Sequence, residues 1–242
     1  MVEQFSNFGE ILRADFMRLG SAEAGIPAES LPQLGDIVGE AMDGQRLLGE
    51  IESSLTETLA PEEAAALTAF YETELGARIR EAEIAGSASA VGPDAQQRLA
   101  TARAEIASDP ERSHLYRRID DAIFASELST TIVMGLIEAV GIGVLQRQEH
   151  GAGADMLAAL EAELSALRED LLPDMREGIM AVNALTYKDI PIGDLRKYVT
   201  FLETEAARAN YAAIFEAWAG IMESRGREIG AQFAEVFKQK RI

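Results

Sequence analysis

Cysteine is missing from all 242 residues, which removes disulfides, thiolate nucleophiles and cysteine-ligated metals together. Histidine occurs only as His114 and His150. Aromatic residues make up 6% of the chain, and alternating Val/Ile/Thr runs bounded by hairpin turns are lacking, so a sheet has little to build on. Positive charge is scarce as well. Lys and Arg number 22 against 41 Asp and Glu, a formal charge of −19 that repels phosphate backbones and anionic membrane surfaces. Nucleic acid is therefore excluded as a partner. No Gly-x-x-x-x-Gly-Lys loop and no strand-borne Gly-x-Gly-x-x-Gly offers a cradle for nucleotide phosphates.

What is present is alanine, leucine and glutamate, side chains that lose little freedom in helices. With 48% hydrophobic residues the chain has enough apolar surface for a core. The reading is all-α: a multi-helix bundle forming a single domain over residues 1–242. Residues 5–20 form a first amphipathic helix, and a second runs from Leu34 to Leu59, weakened by Gly39, Gly44 and Gly49. Pro61-Glu62-Glu63 is a strong helix start, opening a helix that reaches Ala85. Gly86 to Pro93 reads as a linker, and Ser108-Asp109-Pro110-Glu111 as a capped start. A leucine stripe from Met156 breaks at Pro173, and the last helix runs from near Asp194 to Lys238.

Leu128 to Leu145 reads LSTTIVMGLIEAVGIGVL, with Glu138 as its one charge. At the lower limit of a membrane span and with a carboxylate inside it, this stretch reads as a buried apolar central helix, and membrane insertion is disfavoured. Thr131, Gly135, Ala139 and Gly143 recur every four residues, a small-residue side that admits a neighbouring helix closely. A homodimer through that side is the alternative. Glu138 reads as a carboxylate on the one wet edge of this helix; buried instead, it would need a partner, for which Arg117, Arg118 and Arg147 are available.

Phe70-Tyr71-Glu72-Thr73-Glu74-Leu75-Gly76 matches Phe201-Leu202-Glu203-Thr204-Glu205-Ala206-Ala207 at a constant offset of 131 residues. The flanks agree in character, which favours a duplicated helix-pair unit, 34–87 and again 174–239. In each copy the ring anchors the core, while Gly76 or Ala207 admits a crossing helix. Leu59-Ala60-Pro61-Glu62-Glu63, Phe70-Tyr71-Glu72-Thr73 and Gly76 also resemble domain-of-unknown-function family 2059, over about Ile37 to Ala85 and again over Val182 to Glu223. The second copy departs from the pattern with Leu202 for the tyrosine and Ala207 for the glycine. The resemblance implies a helical, exported bacterial protein without an assigned activity.

No residues assemble into a catalytic or metal-binding motif. Glu111-Arg112-Ser113-His114 has the Glu-x-x-His spacing of di-iron bundles but lacks a second pair, and reads as a solvated first turn. The serines lie in helices or the linker, where no strained nucleophile turn forms. The expected function is a non-enzymatic structural or binding protein of the bacterial envelope, without a cofactor, taking a protein partner or an apolar small molecule through an interhelical face. Phe70, Tyr71, Gly76, Gly135, Glu138, Ala139, Gly143 and Phe201 are the candidate positions. The alternatives are a membrane-associating protein that inserts residues 128–145, and a carboxylate-dependent enzyme using Glu138. The segment from Met1 to Phe5 has neither a basic region nor an apolar one. The chain is accordingly read as a mature periplasmic or secreted form with its signal peptide removed, or as cytoplasmic if Met1 is the native start.

Overall fold

The computed structural model describes residues 8–22, 28–90, 94–146 and 154–240. Among them every regular element is a helix, as the composition requires: α1 (Phe8–Ala22), α2 (Leu31–Ala41), α3 (Gly44–Thr58), α4 (Pro61–Tyr71), α5 (Glu74–Ser89), α6 (Ala95–Ser108), α7 (Pro110–Ile123), α8 (Ala125–Gln146), α9 (Ala154–Tyr187), α10 (Ile192–Leu202) and α11 (Glu205–Lys240). The chain divides into two compact units. One takes residues 1–54, 131–169 and 217–242, and the other takes 55–130 and 170–216. Each draws on segments far apart in sequence, which is why no linker marks them in the composition.

Helix breaks follow local chemistry. The expected second helix stops at Met42 and restarts at Gly44, where the Asp43 carboxylate accepts from the Arg46 amide at 2.9 Å. Asp109 caps α7 in the same way, on the Arg112 amide at 3.0 Å. Pro173 does not break α9, and it lies exposed within the helix. The expected linker at Gly86 is helix as far as Ser89, and residues 91–93 lie outside the described set.

Between α7 and α8 the chain turns at Phe124, at φ 56° and ψ 32°, the one left-handed non-glycine residue among those described. That conformation costs about 1–2 kcal/mol. Two contacts oppose the cost. The Phe124 ring packs on Phe215 at 5.6 Å, and buried Asp120 accepts from the Ser126 amide at 2.8 Å and from its hydroxyl, closing the first turn of α8. Burial raises the Asp120 pKa, and the two Ser126 bonds pull it back.

In the unit containing residues 217–242, α2 buries Leu31, Leu34, Val38 and Ala41 on a 3–4 stripe, and Phe16 packs on Phe233 at 5.6 Å. Buried Arg225 holds α3 and α11 through Glu50 and Glu228. In the other unit the core is Ile79, Leu115, Ile119, Leu195, Tyr198, Val199 and Leu202 with their neighbours. Here α7 and α10 are joined by two ion pairs, Glu111 with Arg196 on α10 and Arg118 with Glu203 just past its end, seven residues apart in each segment.

Candidate functional site

The matched segments prove to be turns rather than helix interiors. Both α4 and α10 are 11 residues long, and each is followed by a threonine that ends one helix and starts the next. Thr73 Oγ1 donates to the Phe70 carbonyl at 2.7 Å and accepts from the Gly76 amide at 3.0 Å. Thr204 Oγ1 donates to the Phe201 carbonyl at 2.8 Å and accepts from the Ala207 amide at 3.3 Å. A Cβ on Gly76 would lie 2.1 Å from the Phe70 carbonyl oxygen, so glycine admits the end of its own preceding helix, not a crossing one. The second turn carries Ala207 and its amide bond is longer.

Phe70 and Phe201 stack on each other, centroids 3.7 Å apart and planes 5° apart, and Tyr71 meets Phe201 edge-on at 6.4 Å. The two residues matched at the offset of 131 residues are therefore in contact. The helix starts differ instructively. Glu63 accepts from the Ala60 amide at 3.1 Å, but its counterpart Asp194 follows Pro191, which has no N–H to offer. Asp194 instead takes Arg78 at 2.8 Å and Lys197 at 2.9 Å, the lysine bond first in holding its pKa low.

Beneath this stack four of the five tyrosines surround one carboxylate. Tyr198 and Tyr187 donate to the same Glu83 oxygen at 2.8 and 3.0 Å, and the hydroxyls of Tyr71 and Tyr211 are 3.0 Å apart. Burial pushes the Glu83 carboxyl above its ordinary range, against the pull of the two tyrosine bonds, and burial raises all four phenols too. The donors and acceptors are spent on one another, which suits a buried polar network that specifies packing. Nothing in the spacing of Glu83, Tyr187, Tyr198 and Tyr211 marks them as neighbours. The scarcity of tyrosine elsewhere was the one available signal.

In the other unit the small-residue side of α8 is filled from within. A Cβ on Gly226 would lie 3.2 Å from the Gly135 carbonyl oxygen, one on Gly230 would lie 3.0 Å from that of Ala139, and Met222 packs against Gly135. The Gly226-x-x-x-Gly230 spacing was legible in the sequence and is the complement of Gly135 and Ala139. Because α11 occupies that side, a homodimer through Gly135 and Ala139 has no free surface there. The surroundings of Gly143 and Arg147 lie outside the described residues.

The expectation that Glu138 sits on a wet edge of α8 holds, and the expectation that the helix is wrapped is corrected. Glu138 is exposed and forms no ion pair among the described residues, while Arg118 is held by Glu203 at 2.6 and 2.8 Å. The premise of a carboxylate-dependent enzyme built on Glu138 is thereby removed. The helix is not wrapped on every side: 28% of Ala125–Ile142 is fully buried and most of the rest partly so, while Ile137 and Glu138 are exposed. Away from Gly135 and Ala139 it presents Val133, Leu136 and Val140, half-buried, and Ile137, 38% exposed.

That side continues onto α9. Leu160 lies against Gly141 and Arg168 reaches the Thr131 hydroxyl at 3.4 Å, so residues 131–142 and 160–168 run antiparallel. Met156 and Leu167 are exposed on α9. Together with Ile137 they leave apolar side chains exposed on both segments. Neither a family model, nor a curated protein, nor a solved structure matches the chain. The reading of the site therefore rests on its geometry.

Proposed function

We propose that the chain is a non-enzymatic helical binding protein of the bacterial envelope, built on a duplicated helix-pair unit, that takes a protein partner or an apolar ligand on the open side of α8 and α9. The observation that carries the reading is Ile137, Met156 and Leu167 exposed along two paired helices in one compact unit. Support for the duplication comes from the equal lengths of α4 and α10 and the repeated threonine turns at one constant offset. The export assignment follows from the resemblance to domain-of-unknown-function family 2059 and agrees with the lack of cysteine.

The neutral dye Nile red tests the reading. We expect its fluorescence to rise on binding native protein, and Ile137→Gln to weaken that binding at least about five-fold. Ile84, 48% exposed in the other unit, is the control, and Ile84→Gln should leave binding unchanged. Equal losses from both variants, or no dye binding at all, would refute an apolar site at Ile137.

The same exposure favours a second reading, in which residues 128–145 associate with a membrane. Flotation with zwitterionic vesicles separates the two. Dye binding without flotation supports the binding protein, whereas flotation lost in Ile137→Gln supports membrane association.

A further inference from the structure

We infer that the occupant of the α8–α9 face is a basic amphipathic helix. The inference rests on the open side of these helices being the binding surface, and it names what the surface is made for. The antiparallel pairing of α8 and α9 sets Leu167 at one end of the apolar strip and Met156 at the other, with Ile137 between. The 12 residues from Met156 to Leu167 span about 16 Å of helix, or three turns. A third helix laid along such a pair meets it with apolar side chains at 3–4 spacing.

Charge selects the kind of helix. Glu138, Glu161, Glu163 and Glu169 are all exposed in this pair of segments, and none forms an ion pair among the described residues. Arg168 is the one described cation among them. A second copy of the chain would add its own exposed carboxylates and its own net charge of −19, and an anionic bilayer would be repelled likewise. A helix with leucines on one side and lysines beside them satisfies the apolar strip and the carboxylates at once. Its cations also steer the encounter.

The test uses the full chain and three fluorescein-labelled 14-residue peptides, read by anisotropy. One has leucines at 3–4 spacing with lysine elsewhere, one has the same composition scrambled, and one has glutamate in place of lysine. The inference predicts binding of the first at least about ten-fold tighter than the scrambled peptide, and none of the third. Ile137→Gln should weaken the first at least about five-fold, and Glu138→Lys with Glu163→Lys should weaken it and flatten its salt dependence. Circular dichroism of each variant confirms that it is folded.

Equal binding of the ordered and scrambled peptides, equal binding of the acidic peptide, or indifference to Ile137→Gln would each overturn the inference. Concentration-dependent dimerisation through Ile137, or vesicle flotation, without peptide binding would overturn it in favour of another occupant. Nile red bound at Ile137 with no peptide bound leaves the binding-protein reading standing and rejects the basic helix. No dye and no peptide rejects both.

Discussion

Gly86→Ala is expected to destabilise the protein by about 1–3 kcal/mol in urea unfolding, although alanine is the better helix former by roughly 1 kcal/mol. A Cβ at residue 86 would lie 2.1 Å from Thr186 Oγ1 and 2.8 Å from Thr186 Cβ, so α5 and α9 would have to separate. The bond between Tyr187 and Glu83, one helical turn from Gly86, would strain with them. Gly49→Ala is the paired experiment. Nothing lies within 4 Å of a Cβ there, so the same substitution should stabilise by up to about 1 kcal/mol. Two substitutions of one kind with opposite signs separate packing from propensity. If both stabilise, the close approach at Thr186 is wrong.

The second large effect is at Glu83. Glu83→Ala leaves the buried hydroxyls of Tyr187 and Tyr198 without their acceptor and should cost about 2–4 kcal/mol. Glu83→Gln keeps an acceptor oxygen and removes the titration. The carboxyl, ordinarily at 4.5, is raised in the folded protein because burial outweighs the two tyrosine bonds. A raised folded pKa means that the native state holds the proton more tightly. Its contribution to stability is fully present below the unfolded value and is lost as pH rises through the folded one. Wild type should therefore lose stability relative to Glu83→Gln as pH rises above about 4.5, read from paired urea curves between pH 4 and 8. A constant difference across that range, or one of opposite sign, would contradict it.

Helix content was legible throughout, because Ala, Leu and Glu at 3–4 spacing leave few alternatives. Helix ends were legible where proline or a capping acid marks them, as at Pro61 and Asp109. They were missed where the signal is a threonine turn inside a helical pattern. Thr73 and Thr204 lie in stretches whose periodicity barely falters, so the matched motif was placed on a helix when it joins two. Phe70 and Phe201 were matched from sequence, but that they touch is a tertiary fact with no local sign. The glutamate–tyrosine network is the same case, since Tyr71, Glu83, Tyr187, Tyr198 and Tyr211 come from α4, α5, α9, α10 and α11.

For α8 the sequence misled in a specific way. An apolar helix with one carboxylate implies burial on all sides, and Gly135 and Ala139 draw attention as the contact face. That face is indeed a contact, met by Gly226 and Gly230 on α11. The open side, with Val133 and Val140 half-buried and Ile137 exposed, has the composition of a core without its full burial. Periodicity reports what a helix is able to bury, not whether a neighbour is present to bury it.

The lack of cysteine makes the decisive measurement simple. Single cysteines placed at Ile137 and Ala139, two positions apart on one helix, are labelled with a soluble thiol reagent in the folded protein, and the rates are compared with that of a free thiol. An open face predicts that Ile137→Cys reacts within about ten-fold of the free rate, while Ala139→Cys, fully buried against α11, is protected at least about a hundred-fold. Equal protection of both positions in the purified chain would mean that the α8–α9 face is already covered and is not where a partner binds.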